Sequence, residues 1–331
     1  MFRLGVALLV ILFVVVLGPG LLNLESSQAL AKKKKGGRYC TQTAAAAYKA
    51  CIREKQDDYN IAYGKCINVS DSEDREDCFN DAKNGEDGYK AAIRECKDQY
   101  EARRDVCDDL GEGRYDPVLD PDDFSGNITN TYFPLPSLST FTYHSIDPSD
   151  PTTILQTVVV TVEGTTTIDG FPCRHVTDKV YDGDITAPGD HNLLEDTIDW
   201  YSQDRDGNVW YFGESTIAYT YDEEGNPTPD NEGSWKAGED GAKPGIIMPA
   251  DPGGQIDLLY RQEFDLGTAE DLGKVVGVGE TVTAGGMTYN GCVHTEDSTP
   301  MEPDLIEDKY YAPGVGLVLT IEPEATEELI P

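Results

Sequence analysis

Two Cys-x-His units have the residue types and spacing most suited to chemistry: Cys173 with His175, and Cys292 with His294. Residues two apart on a β-strand point to the same face, so each unit would present a sulfur and an imidazole side by side. If the two strands lie close together, these soft ligands could bind one tetrahedral Zn²⁺ or copper ion. We favour a Cys173–Cys292 disulfide with two uninvolved histidines, because export from the cell supports oxidation; two free thiols are the third possibility.

The turn sequence DRDGN at residues 204–208 resembles the start of a Ca²⁺-binding loop. The twelfth position counted from Asp204 is Ser215, which lacks the carboxylate that closes an EF-hand loop. The glycine also suits a tight hairpin turn, and we favour that interpretation. A second acidic group, whose spacing also differs from that of an EF-hand loop, comprises Asp116, Asp120, Asp122 and Asp123.

Motifs for nucleophilic or metal-dependent hydrolysis are missing from the sequence, which has neither Gly-x-Ser-x-Gly nor His-Glu-x-x-His. His144 and His191 are single histidines without placed partners. Because the chain holds 61 Asp and Glu residues, a pair of carboxylates carries no catalytic signal. The sequence alone leaves catalysis undecided and favours a protein that is not an enzyme.

Six of the eight cysteines lie in residues 40–110, a Pro-free segment whose composition predicts helix. Cys40 and Cys51 are 11 residues apart, about three helical turns, and so are Cys96 and Cys107. In two antiparallel helices, residues whose numbers have equal sums lie opposite one another, whereas a metal cluster would need converging ligands. We therefore predict a helical hairpin with three nested disulfides: Cys40–Cys107, Cys51–Cys96 and Cys66–Cys78.

The first 31 residues have the organisation of a secretory signal peptide. Arg3 precedes a nearly all-apolar run at residues 4–17, and Ala29 and Ala31 form a small-x-small cleavage site. That run is short for a membrane span. We predict cleavage after Ala31 and an exported chain, periplasmic or extracellular, without a transmembrane segment; an uncleaved anchor is the alternative. The lysines at 32–35 would then bind an anionic surface or form a solvated tail.

The net charge of −35 is spread unevenly along the chain. Residues 111–331 hold 9 Lys and Arg against 43 Asp and Glu, whereas residues 40–110 hold 11 against 17. The C-terminal part therefore carries most of the negative charge, which argues against nucleic acid as a partner. Such a surface suits Ca²⁺ or a cationic partner, or serves solubility alone.

After a linker rich in Asp, Pro and Gly at residues 111–130, the sequence predicts antiparallel β structure over residues 131–331. The β-branched run at 153–163 is the strongest strand. Hairpins are predicted at 193–210 and 305–319, and both begin with Leu, an aliphatic residue and Glu-Asp. The intervening residues 214–254 predict a hairpin and a long loop.

An internal repeat connects the two hairpins. The sequence VVVTVEGTTTIDGFPCRHVT at residues 158–177 is echoed by VVGVGETVTAGGMTYNGCVHT at residues 275–295. Each copy leads into one of the two hairpins. Duplicated strand-and-hairpin units predict an antiparallel half-barrel or barrel-like domain. With the disulfide-linked helical hairpin before it, the chain is predicted to be an α+β protein.

Four segments resemble a group of poorly characterised secreted bacterial proteins: TYFPLPSLSTFTY, DWYSQDRDGNVWYFGE, EGSWKAGEDGAKPGIIMPADP and YYAPGVGLV. The last is similar to a hairpin of periplasmic and lipoprotein-like β half-barrels. The resemblance covers about residues 132–321. It implies a bacterial cell-envelope or extracellular setting and brings no catalytic residues.

We therefore expect an exported, non-enzymatic binding or cell-envelope structural protein without a cofactor. Its β domain would hold an apolar small molecule or an envelope protein partner. Five aromatic residues are the candidates to line that site, unless they serve core packing: Trp200, Trp210, Tyr211, Tyr310 and Tyr311. The alternatives are a metal-binding protein or metalloenzyme that uses the two Cys-x-His units, and a Ca²⁺-dependent acidic surface or matrix protein.

Overall fold

The computed structural model describes residues 37–222 and 224–331. The predicted signal peptide and the lysines at 32–35 lie outside the described residues. Three helices come first: α1 (Tyr39–Ile67), α2 (Ser72–Asn84) and α3 (Tyr89–Leu110). Among the described residues, no helix has the length and apolarity to cross a membrane.

In the part of the chain that the structure describes, sixteen strands follow the helices. Their bounds are β1 (Phe124–Ser125), β2 (Thr140–Asp147), β3 (Asp150–Ile168), β4 (Phe171–Asp182), β5 (Leu193–Asp204), β6 (Val209–Tyr221), β7 (Pro227–Asp230), β8 (Trp235–Lys236), β9 (Lys243–Met248), β10 (Leu259–Arg261), β11 (Glu263–Phe264), β12 (Leu272–Ala284), β13 (Met287–Thr299), β14 (Glu302–Ala312), β15 (Gly316–Ile321) and β16 (Thr326–Ile330).

The helical hairpin and its disulfides are confirmed. Helices α1 and α3 are joined at one end by Cys40–Cys107 and further along by Cys51–Cys96. Cys66–Cys78 joins the far end of α1 to α2. Helix α2 is a third, short helix that the sequence analysis did not predict. Its N-terminus is capped by Asp71, whose carboxylate accepts hydrogen bonds from the first turn of the helix.

Aromatic rings form the contact between the helices. Tyr48 packs on Tyr100 with ring centroids 5.2 Å apart, and Tyr59 packs on Tyr89 at 4.9 Å. The buried apolar residues of α1 are Ala44 and Cys66 alone. Because so small a core provides little stability, the hairpin depends on its disulfides.

The strands form one antiparallel sheet that curls into a nearly closed barrel, as the fold-class prediction requires. Neighbouring strands follow the order β10-β12-β13-β14-β15-β16-β2-β3-β4-β5-β6-β9-β11. The two echoed sequences form the hairpins β3–β4 and β12–β13. Their tight turns use Asp169-Gly170 and Gly285-Gly286, all with positive φ. The internal repeat itself stays a prediction.

The two ends of the sheet meet at residues 259–264, here called the closing segment. Its first half, β10, pairs with β12, and its second half, β11, pairs with β9. Between them, the Gln262 amide donates to the Asp271 carbonyl over 2.9 Å. One short stretch of chain therefore bridges both edges of the sheet, which leaves few unpaired edge groups.

Two glycines, which have no Cβ, allow the closing segment to pack closely against β9 and β12. A Cβ on Gly245 would collide with the Arg261 carbonyl oxygen and lie 2.6 Å from that of Gln262. On the other side, a Cβ on Gly273 would lie 2.7 Å from the Tyr260 hydroxyl. A Cβ contact under 3.0 Å forces neighbouring atoms to move. The atoms next to Gly245 are backbone atoms, which cannot move aside by a change of rotamer.

Residues 214–254, predicted as a hairpin and a long loop, are more regular than expected. Strand β6 continues to Tyr221 and pairs successively with β9, β8 and β7. Trp235 and Met248 are buried, at 4% and 0% exposed. The predicted linker is also packed on the barrel, since β1 pairs with β5 and Ile128 is buried.

A buried ion pair attaches the helices to the barrel. Arg103 of α3 donates from Nε and from a terminal nitrogen to the Glu270 carboxylate, at 3.0 and 2.7 Å. Both side chains are less than 8% exposed. The Gly267 amide also donates to Glu270 over 2.9 Å, and the Gln99 amide group donates to the Met301 carbonyl over 2.9 Å. Residues 37–222 and 224–331 accordingly belong to one compact unit.

We expect Gly245→Ala to lower the free energy of unfolding by about 1–3 kcal/mol, because its Cβ overpacks the closing segment. Urea denaturation followed by circular dichroism measures this change. Gly164→Ala is the matched control on β3, where an added Cβ meets no heavy atom within 4 Å. It should change the free energy by no more than about 0.5 kcal/mol. Equal changes in the free energy of unfolding for the two substitutions would contradict the proposed close packing of Gly245 on the closing segment.

Candidate functional site

The predicted Cys173–Cys292 disulfide is wrong. Both cysteines are free and fully buried, and they belong to different core clusters. Cys173 lies on β4 and Cys292 on β13, and the sheet order places β14, β15, β16, β2 and β3 between those strands. The two echoed strands thus occupy separate parts of the barrel, whereas the predicted disulfide required them to be neighbours.

The same separation contradicts the Cys-His metal site. His175 lies opposite Trp200 of β5, whereas His294 stacks on Tyr310 with ring centroids 4.3 Å apart. His294 Nε2 also lies 2.6 Å from Oδ1 of Asp308. Over residues 37–222 and 224–331, no three His, Cys, Asp or Glu side chains are grouped so as to hold a metal ion.

The DRDGN sequence forms the β5–β6 turn and uses its carboxylate internally. Oδ1 of Asp204 accepts from the Asn208 amide over 2.8 Å, and Oδ2 accepts from the Trp210 indole over 2.9 Å. In the earlier acidic group, Asp116 pairs with Lys243, Asp120 accepts from the Asp122 amide, and Asp123 pairs with Arg205. These contacts favour the hairpin interpretation over a Ca²⁺ loop.

The five aromatic candidates do not form one surface. Trp200, Trp210 and Tyr211 belong to one core cluster, whereas Tyr310 and Tyr311 each belong to another. Consecutive strand residues point to opposite faces, so Tyr310 and Tyr311 cannot both line the concave side. These rings pack in the core, and two of them also donate a hydrogen bond to a carboxylate: Trp210 to Asp204 and Tyr211 to Asp199.

Carboxylates, not aromatic rings, are the main feature of the barrel interior. Charge on members of this set raises the pKa of several neighbouring members across the inside of the barrel. We call this set the acidic interior; its members are Asp178, Glu195, Asp199, Glu214, Glu263, Asp271, Asp297, Glu307, Glu322 and Glu327.

Lys309 of β14 is the cation in contact with this set. Its Nζ lies 2.7 Å from Oε2 of Glu307 and 3.1 Å from Oδ2 of Asp297. The strand register explains why Lys309 contacts Asp297 and Glu307: Thr295 lies opposite Lys309, and Asp297 lies opposite Glu307. The surrounding carboxylates raise the pKa of Lys309 well above its ordinary value, against the opposing effect of burial.

Several buried polar atoms of the interior lack a hydrogen-bond partner. They include both carboxylate oxygens of Asp297, the Tyr260 hydroxyl and Oγ1 of Thr295. Asp297 is only 4% exposed. A half-open cavity of about 40 Å³ lies against it, lined by Asp271, Asp297, Ser298, Thr299, Leu305 and Glu307. This cavity is about the size of one or two water molecules, so it is too small for an apolar ligand.

Burial raises the pKa of several interior acids. Desolvation is the largest cause for Asp178, whose pKa rises to about 6, and for Glu214 and Glu327, whose pKa values rise to about 7. Asp199 is buried, and desolvation raises its pKa well above 3.8, although the Tyr211 hydroxyl donates to it over 2.6 Å. Protonation therefore neutralises many of these carboxyl groups, so that less charge has to be buried.

Sequence reasoning missed the acidic interior. Its signal is the alternation of Glu195, Thr197 and Asp199 along β5, which the structure places on the inner face together with Asp178 of β4. Alternation shows that such residues share a face. It does not show that the polar face is the inner one, because in most antiparallel sheets the polar face meets water.

No family model matches the chain, and no curated protein matches it. Among solved structures, it is similar to a protein of Parabacteroides distasonis assigned as a lipoprotein, with 10% identity and a TM-score of 0.32 over 60% of this chain and 97% of that one. It is also similar to a protein of Bacteroides fragilis assigned as exported, with a YmcC-like fold, at 12% identity and a TM-score of 0.34 over 61% and 98%. Similarity at this level carries no conclusion about function.

The raised pKa values predict that the protein is more stable in mild acid than at neutral pH. A carboxyl group whose pKa is higher in the folded than in the unfolded state binds its proton more tightly when folded. Its contribution to the free energy of unfolding is therefore complete below the unfolded pKa and is lost as the pH rises through the folded pKa. For Glu214 and Glu327 this loss takes place between pH 4.5 and about pH 7. The free energy of unfolding should fall across it by about 1–3 kcal/mol per group.

Chemical denaturation at a series of pH values measures this slope. Glu327→Gln should flatten the dependence between pH 4.5 and about 7, because the raised pKa of Glu327 is removed. Glu324→Gln is the control, since Glu324 is exposed on the turn before β16. Stability that rises from pH 5 to pH 8 in the unaltered protein would contradict the prediction.

Proposed function

We propose that the protein is an exported, non-enzymatic protein of the cell envelope, in which the barrel is a scaffold and the helical hairpin contacts a protein partner. We call residues 39–110 the helical arm. The observation that carries the proposal is the buried Arg103–Glu270 pair, which fixes the disulfide-linked arm to the barrel. A rigid arm on a packed barrel suits presentation of a surface, whereas an interior ligand site needs space.

Export is supported by the disulfides and by the predicted signal peptide. Three disulfides within 68 residues suit an oxidising compartment, because the cytosol keeps thiols reduced. The remaining thiols are unsuited to nucleophilic catalysis, since burial raises the pKa of Cys173 to about 12 and also raises that of Cys292.

The far end of the arm carries exposed apolar side chains. Ile61, Tyr63 and Ile67 are 57%, 44% and 58% exposed. At 1.5 Å per residue, Ile67 lies about 40 Å along α1 from the Cys40–Cys107 end, which is the end joined to the barrel by α3. Exposed large apolar groups are typical of protein contact sites, so we assign the partner surface to this end.

A photo-cross-linking experiment tests export and contact together. A photoreactive residue replaces Ile67 in one full-length variant and Leu155, which is 40% exposed on β3, in the matched control. Both are produced with residues 1–31 in the cells that make the protein. We expect a chain outside the cytoplasm that lacks residues 1–31 and that cross-links from position 67 to a partner of discrete mass.

Two results would contradict the proposal in different ways. A cytoplasmic chain that retains residues 1–31 would contradict the proposal that the protein is exported. An exported chain that cross-links from position 155 and not from position 67 would place the contact on the barrel and remove the role of the arm.

A further inference from the structure

We propose that Lys309 and Asp297 condense to an intramolecular isopeptide bond, which links β14 covalently to β13 inside the barrel. This inference stands apart from the proposed function, since a covalent link in the barrel depends on neither export nor a partner. It rests on three observations: the approach of the two side chains, the unsatisfied oxygens of Asp297, and the position of Glu307.

The two reacting groups are held together by the fold. Both residues lie on the inner faces of neighbouring antiparallel strands, one diagonal step apart in the register. The Lys309 Nζ lies 3.1 Å from Oδ2 of Asp297. Groups fixed in this way react as if at effective concentrations of up to about 10⁵–10⁸ M, which is how an amine and a carboxylic acid can condense without an activating group.

Asp297 has a single polar contact for a carboxylate that is only 5% exposed: the ion pair with Lys309 at 3.1 Å. Among the described residues no hydrogen-bond donor other than Lys309 satisfies its two oxygens. Buried polar groups are nearly always hydrogen-bonded, and buried charges are costly unless fully satisfied. Conversion of the pair to a neutral amide removes both charges, so the bond resolves this unfavourable arrangement.

Glu307 is placed to transfer the protons. Its Oε2 lies 2.7 Å from the Lys309 Nζ, and it lies opposite Asp297 in the β13–β14 ladder. A carboxylate at hydrogen-bond distance can act as general base and then as general acid. Glu307 takes one proton from the ammonium and passes it to the carboxyl of Asp297, and the neutral amine then attacks Cγ.

The step balances without a further reactant. The Nζ–Cγ bond forms, one Cγ–O bond breaks, and the departing oxygen leaves as water with two protons that began on Nζ. Glu307 ends in its starting ionisation state. The product is a secondary amide plus one water, and no oxidant, reductant or nucleotide takes part.

The intact mass of the full chain, reduced and unfolded, tests the proposal. We expect a mass lower than that of the sequence by one water, with a branched peptide that joins the segments containing Asp297 and Lys309 after proteolysis. Lys309→Arg and Glu307→Gln should each restore the full mass. Lys274→Arg is the matched control, since Lys274 of β12 forms an ion pair at 2.7 Å with Glu296 of β13 on the outer face of the sheet, and this variant should keep the water loss.

The unaltered protein is decisive even if a variant fails to fold. A folded chain at full mass, with a cooperative unfolding transition, would overturn the proposal. A water loss that fragmentation places elsewhere, such as a succinimide at another Asp, would overturn it equally. An Asp297→Asn chain adds a chemical check, because condensation there releases ammonia in place of water.

Discussion

Closure of the sheet at residues 259–264 is the constraint on which the rest of the structure depends. Its first half pairs with β12 and its second half pairs with β9, so the two ends of the strand order are joined. Because the barrel is nearly closed, inner carboxylates such as Asp178, Glu214 and Glu327 are removed from water and their pKa values rise. The residues directly after the closing segment include Glu270, which receives Arg103 from the helical arm. Closure, the acidic interior and attachment of the arm are therefore parts of one arrangement.

The charge distribution of the barrel opposes its own stability. Many carboxylates face inward, and Lys309 is in contact with only two of them. A neutral carboxylic acid costs far less to bury than a carboxylate, which is why protonation in mild acid favours the folded state. The arm has the opposite difficulty, since it has little apolar core and many surface charges. Its disulfides offset this by restricting the unfolded chain.

The sequence predicted those features that depend on local spacing. Equal sums of cysteine numbers led to the three disulfides, and turn glycines between aromatic strands led to the hairpins that became β5–β6 and β14–β15. Features that depend on where distant strands lie were not predictable in this way. The Cys-His hypothesis required β4 and β13 to be adjacent, but similarity between two segments does not show that they pair. The acidic interior was missed because alternation does not reveal which face of a strand is inside.

Native-state hydrogen exchange at the closing segment tests the closed barrel most directly. The Gln262 amide, which donates to Asp271, should exchange only through global unfolding, at the same free energy as the Val293 amide of β13, a strand paired on both sides. The Thr268 amide, in the turn that follows, serves as a local reference. If Gln262 exchanges as fast as Thr268 while Val293 stays protected, the sheet is open at this point and the account of the acidic interior fails with it.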